Sequence, residues 1–211
     1  MPPNHHPSHY LLTNYASGTI SSGLFLGVTT HLHHCAECRA RVAIQEEIGG
    51  GLLRDIGAEQ HENFIPFQQF QKKLAGDFGR EQKVVSDVFS LVNIKKEDMQ
   101  KKGFWEKLMP GISQHQLYKN GSEKIKLMKI DSSTAVPMHT HDGVETTIIL
   151  DGSFSDSLGT YHVGDFVSHH DDVNHQPMVG AEKACICLVI MDGSLRLTSV
   201  MGRLINPFLQ F

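Results

Sequence analysis

The sequence predicts an α+β multidomain chain of 211 residues: a small helical unit followed by an all-β unit. Three observations predict it. Apolar residues in the first fifty recur at helical spacing between serines and glycines that can cap helices. From Gly103 onward, short alternating runs end at turn dipeptides such as Asn120-Gly121, Asp151-Gly152, Gly164-Asp165 and Asp192-Gly193. Histidine numbers 14 against 4 cysteines, and it clusters in both units, from His5 to His34 and again from His139 to His175.

The helices come first. Ser8 is placed to cap a helix carrying Tyr10, Leu11, Leu12 and Tyr15, which Gly18 can end. A second runs through Leu24, Phe25, Leu26, Val28 and Leu32 after Ser21-Ser22-Gly23. A third begins near Cys35, continues through Val42, Ala43 and Ile48, and is expected to stop at Gly49-Gly50-Gly51. Three short helices bury little surface, so a metal would help to hold them. Residues Gly51 to about Ala75 read as a polar linker, with Phe64, Phe67 and Phe70 packing on their own domain. Glu81 to Met99 has helical spacing in Val84, Val85, Val88, Phe89 and Val92. The strands expected next are Gln116–Lys119, Ile125–Ile130, Thr146–Leu150, Thr160–Val163 and Ala184–Met191, a spacing that suggests a barrel or sandwich. The boundary is set at 95/96, giving a helical unit with its linker over 1–95 and a β unit over 96–211.

Charge is unevenly spread. Lys72 to Lys129 holds 13 Lys/Arg and 7 Asp/Glu, whereas Asp131 to Asp192 holds 10 acids and only Lys183 as a base. This reads as an acidic C-terminal domain preceded by a basic connector. The net charge of −4 argues against a dedicated nucleic-acid binder. The longest apolar run, Cys185 to Met191, is far shorter than the roughly 20 residues of a membrane-spanning helix. No basic stretch followed by an apolar core marks a secretory signal, so a cytoplasmic location is expected.

His31-Leu-His-His-Cys35-Ala-Glu-Cys38 gives H-x3-C-x2-C. Two thiolates two residues apart can clamp one ion, and an imidazole one helical turn earlier shares their face. Structural zinc takes four ligands, and the fourth is available from His5, His6 or His9. The βαβ context of a redox CxxC is absent. His33 and His34 read as surface residues.

The second constellation is His139-Thr-His141-x3-Glu145 with a distant His175. In a strand, His139 and His141 point to one side, and Glu145 can face the same interior after a turn at Asp142-Gly143. Three imidazoles and a carboxylate suit zinc, iron, manganese or nickel. His162 reads as a surface strand residue, and His169 and His170 as loop or outer-layer residues. Cys185 and Cys187 alternate on one strand face, as buried small hydrophobes or as an oxidant-sensitive pair beside the metal.

The N-terminal stretches HHPSHYLLTNYASG and THLHHCAECRARV resemble the zinc-binding anti-sigma domain, and the spacing of the second constellation resembles the two cupin motifs. The pairing of the two is similar to the ChrR type of anti-sigma factor. The second resemblance departs from the generic cupin pattern at Ser133, where the upstream glycine of the first motif is replaced, and at His170 and Asp172, where proline and glycine are usual. The resemblance implies a small N-terminal zinc-bound helical domain and a C-terminal all-β cupin barrel. It implies Zn2+ held by His6, His31, Cys35 and Cys38, and Zn2+ or another divalent transition metal held by His139, His141, Glu145 and His175. It also implies a partner, an extracytoplasmic-function sigma factor that the first domain wraps and silences, with the cupin sensing singlet oxygen or organic peroxides. Direct nucleic-acid or membrane binding is not expected, and a homodimer through sheet edges is left open. The alternative from another class is a cupin metal-dependent dioxygenase with an N-terminal zinc appendage; a plain cupin enzyme has no need of the first four ligands.

Overall fold

A computed structural model describes residues 2–55 and 94–198. Helix α1 spans His9–Ala16, α2 Ser22–His34 and α3 Ala36–Asp55. The Ser8 cap forms as expected, its Oγ accepting from Leu11 N–H at 3.2 Å; Ser21 Oγ caps α2 in the same way, accepting from Leu24 N–H at 3.4 Å. The third helix departs from expectation. It runs unbroken through Gly49-Gly50-Gly51 to Asp55. Glycine lowers helix stability by about 1 kcal/mol per residue without forbidding the conformation. The linker from Ile56 to Ala75, with its three phenylalanines, lies outside the described residues. So does most of the helix expected over Glu81–Met99; its described end, from Ile94, is a turn and then a 3-10 turn at Asp98–Gln100.

The β unit follows as β1 Glu106–Met109, β2 Ile112–Asn120, β3 Glu123–Ile130, β4 His139–His141, β5 Val144–Asp151, β6 Ser153–Ser155, β7 Thr160–His162, β8 Phe166–His169, β9 Cys185–Asp192 and β10 Leu195–Leu197. Six form an antiparallel sheet in the order β1-β2-β3-β9-β5-β8, with β10-β4 and β6-β7 as two-stranded ribbons. The five expected strands correspond to β2, β3, β5, β7 and β9; the other five are short or lack alternation. The part of the basic run before Ile94 lies outside the described residues, and the end of the run is not a separate connector. Lys119, Lys124, Lys126 and Lys129 sit on β2 and β3 inside the large sheet.

Strand alternation divides the core in two. One face carries Ile125, Leu127, Ile148, Phe166, Leu188 and Ile190, packed with Leu12, Val28 and Leu32 of the helices. The opposite face carries Ile130, Ile149, Val167, Cys185, Cys187, Val189 and Met191, closed over by Phe154 and Tyr161 of the β6-β7 ribbon. The helical unit thus docks on the outside of the sheet. Gly27 of α2 sits close against the sheet: a Cβ there would lie 2.7 Å from Ile190 Cδ1 and 3.1 Å from Ile148 Cδ1, so those side-chain ends would have to move. The carboxylate of Glu123, at the start of β3, accepts from Ser21 Oγ and Gly23 N–H, each at 3.0 Å, and so caps α2 from the β unit. Among the described residues, no helix is long and apolar enough to cross a membrane.

Candidate metal centres

The close of α2 and the start of α3 place the first cluster. His31 lies in the last turn of α2, and Cys35 is the residue at which the chain leaves that helix for α3. Cys35 Sγ accepts from Cys38 N–H at 3.4 Å, which fixes the two sulfurs side by side. His6 comes from the segment ahead of α1. Its Nδ1 lies 3.4 Å from His31 Nε2, 3.4 Å from Cys35 Sγ and 3.4 Å from Cys38 Sγ. Tetrahedral zinc with bonds of about 2.0–2.3 Å separates its ligand atoms by about 3.3–3.8 Å, so the donor set fits that ion. Of the three histidines open as fourth ligand, His6 reaches the thiols. His5 instead pairs through Nδ1 with Asp165 Oδ2 at 3.3 Å, and His9 Nε2 meets Arg41 Nη1 at 3.1 Å.

Burial governs the protonation of two of these groups. His31 is lowered to about 4, chiefly by burial, opposed by its hydrogen bond to the Gly164 carbonyl. It is therefore a neutral ligand at pH 7. Burial and the neighbouring Cys35 push the Cys38 thiol up to about 12. A divalent ion reverses that preference, because its charge favours the thiolate.

The second cluster lies on the inner face of the β unit. His139 and His141 are the two same-side residues of β4, Glu145 starts the inward series of β5, and His175 is tied to His139 by reciprocal backbone hydrogen bonds of 3.0 and 3.1 Å. All four are buried and can bring one ligand atom each within 4.8 Å of one another. His141 Nε2 and His175 Nε2 are 3.2 Å apart, which fits two nitrogens on one ion. Burial lowers His175 to about 4 and moves His141 down as well. Burial opposes charge on Glu145, but His141, His139, His175 and Lys126 together hold its carboxyl below the usual range. An anionic Glu145 beside neutral His141 and His175 is the form in which these groups could hold an ion. A cavity of about 60 Å³ opens against His139, Glu145 and His175, lined otherwise by apolar side chains, Thr147, Lys126 and Cys187.

One residue beside the second cluster escaped the sequence reading. Asp156, with its side chain fully buried, accepts from His175 Nδ1 at 3.1 Å and lies 3.7 Å from His169 Nε2. It fixes His175 in the tautomer that leaves Nε2 free for an ion. Its proximity to two histidines is created by folding, and no spacing announces it. His169 is buried at the end of β8 and sits opposite Glu145 in register. His162 and His170 are exposed, as is His33; His34 is half-buried. Cys185 and Cys187 are buried free thiols. Their mutual hydrogen bond and burial push Cys187 well up, leaving it a weakly nucleophilic thiol at neutral pH. At Ser133 the backbone adopts φ +57°, so serine holds the left-handed conformation that the absent motif glycine would supply.

Two dissimilar clusters, one thiol-imidazole and one imidazole-carboxylate, on a helical unit and a β unit define a protein class with two candidate metal centres. Comparison with known proteins shows that the chain belongs to the ChrR family of anti-sigma factors. Residues 98–193 match the family model described as the ChrR cupin-like domain. The chain is 31% identical over 210 residues to the anti-sigma-E factor ChrR of Cereibacter sphaeroides, spanning 97% of each. Among solved structures, it is similar to the crystal structure of Rhodobacter sphaeroides SigE in complex with the anti-sigma ChrR, with a TM-score of 0.72 and 31% identity over 90% of this chain and 99% of that one.

Proposed function

We propose that this protein is an anti-sigma factor that binds and inhibits an extracytoplasmic-function sigma factor in the cytoplasm and releases it under oxidative stress. The observation that carries the reading is similarity to an anti-sigma factor over 97% of the chain, across both units. Residues 1–95 form the sigma-binding domain, with zinc on His6, His31, Cys35 and Cys38. Residues 96–211 form the sensor, with zinc or another divalent metal on His139, His141, Glu145 and His175.

The surface of α3 suits such a partner. Beyond Val42, no side chain described on this helix is buried, and Ile44, Ile48 and Leu52 stand exposed at four-residue intervals. An apolar stripe of this kind on a helix with one side unpacked is a docking face. Bound zinc supplies the first domain with a closed four-ligand cross-link. The chain's own residues then hold three separate segments, the amino terminus, the end of α2 and the start of α3, in one arrangement.

The test is co-expression with the cognate sigma factor and pull-down, repeated with Cys38→Ser and His141→Ala. Loss of the complex with the first variant and a weakened but persisting complex with the second supports the division of labour. Absence of any sigma factor in the wild-type pull-down refutes the reading.

A further inference from the structure

The four ligands of the N-terminal cluster are not all positioned by the helical unit. Cys35 and Cys38 are set by the α2–α3 junction. The His31 imidazole and the backbone ahead of His6 are held by the turn between β7 and β8 and the first residue of β8. The Gly164 carbonyl takes the Nδ1–H of His31 at 2.7 Å. Asp165 Oδ1 accepts from Asn4 N–H at 2.6 Å and from His5 N–H at 3.0 Å, and Phe166 N–H donates to His5 O at 3.0 Å. The backbone immediately before His6 is therefore gripped by the β unit. The turn leaves no slack, since a Cβ on Gly164 would lie 2.6 Å from His34 Cβ and 2.9 Å from Pro3 Cγ.

The same short strand ends at the other cluster. His169 pairs in register with Glu145, and its ring centroid is 4.1 Å from that of His175. Its Nε2 is buried without a hydrogen-bond partner and faces Asp156 Oδ2 at 3.7 Å. Strand β8 is four residues long, so its ends are about 10 Å apart at ~3.3 Å per residue. It is the edge strand of the six-stranded sheet, paired there with β5, and beyond that ladder Phe166 N–H bonds His5. An edge strand is held by one ladder only and shifts more readily than an interior one.

We propose that β8 and its preceding turn are a strut coupling the two centres, so that loading of the cupin cluster sets how firmly the N-terminal cluster keeps its ion, with Asp165 as the positioning residue. An ion drawing Glu145 and His175 together fixes the distal end of β8. The proximal end then holds Asn4, His5 and His31 where His6 and His31 meet the thiols. Without that ion the pull on Glu145 and His175 is absent, and packed elements shift as units rather than bend. The release of a sigma factor as the outcome rests on the anti-sigma reading; the coupling is a property of this chain alone.

The experiment uses the full-length, zinc-loaded chain without any partner. Alkylation of Cys35 and Cys38 is timed by peptide mass spectrometry, which separates them from Cys185 and Cys187. His141→Ala is expected to speed alkylation of Cys35 and Cys38 about 10-fold, the lower range for loss of outer-layer support to a metal ligand. Asp165→Ala is expected to do the same while the cupin cluster keeps its metal. The double variant should be no faster than the faster single one. Asp165→Asn, which retains one acceptor oxygen, should fall between wild type and Asp165→Ala. Wild-type protection in His141→Ala, or a double variant whose acceleration is the product of the two singles, overturns the proposal. If Asp165→Ala does not fold, the His141→Ala and Asp165→Asn arms, with their double variant, still decide it. A failed sigma pull-down would refute the anti-sigma reading and leave the alkylation result standing.

Discussion

His31 Nδ1 lies 2.7 Å from the carbonyl oxygen of Gly164, a contact between the last turn of α2 and the β7–β8 turn. A carbonyl only accepts, so Nδ1 must carry the proton and Nε2 must present its lone pair. That is the nitrogen that faces His6 at 3.4 Å. The β unit therefore selects the tautomer of a ligand in the helical unit. On the other side of the sheet, Asp156 does the same for His175.

The role of Asp156 leads to a prediction on metal retention. Asp156→Asn is expected to weaken metal binding at the cupin cluster about 10- to 100-fold, because His175 loses the carboxylate that sets its tautomer. The N-terminal cluster should lose its ion later and to a smaller extent, as a secondary effect passed on through β8. Competition with a chelator, followed by metal analysis of the full-length variant, checks this; equal loss from both centres would contradict it.

Gly27 gives a prediction on docking. Gly27→Val places carbon where Ile190 Cδ1 already stands 2.7 Å away. The variant is expected to lose about 1–3 kcal/mol, the usual cost of overpacking. Denaturant unfolding of the full chain reads it, and an unchanged midpoint would show that α2 can lift from the sheet at no cost.

Ser133 offers a stabilising change. A non-glycine residue in the left-handed region carries a penalty of about 1–2 kcal/mol, part of which is offset by the larger backbone entropy that glycine loses on folding. Ser133→Gly is therefore expected to raise stability by a few tenths to ~1 kcal/mol. A lower melting temperature than wild type would show that the serine makes a compensating contact.

Asp165 gives a pH dependence. Burial raises its carboxyl, but the N–H groups of His162, His5 and Asn4 outweigh this and hold it below the ordinary 3.8. A depressed folded value means that the unfolded chain takes up the proton first as pH falls. The stabilisation is therefore complete above about pH 4–5, begins to fade near the unfolded value, and is lost as pH falls through the folded one. The stability difference between wild type and Asp165→Asn should be constant above that range and shrink in acid. A difference that grows in acid would reverse the sign.

Much of this was legible in the residues. The cap at Ser8 is local, since one oxygen and one N–H three residues on suffice. The pairs His139/His141 and Cys35/Cys38 are local as well, because strand and helix periods put them on one side. The glycine triplet misled: a helix end is decided by the sum of neighbouring turns, and α3 carries its propensity through all three glycines. The lysines of β2 and β3 misled too, because charge along a chain does not mark domain edges when strands pair at long range.

By itself, then, the sequence determined the two classes of unit, the thiol pair and the HxH-Glu set, all of which follow from short-range periodicity. Tertiary structure decided which of His5, His6 and His9 meets the thiols, that Asp156 and His169 stand behind His175, and that Gly164 and Asp165 hold the N-terminal cluster. These partners are as much as 161 residues apart, between Asn4 and Asp165. No local spacing encodes such contacts. They arise when the apolar face of α2 is buried on the sheet and each buried polar atom must find whatever partner that packing brings within reach.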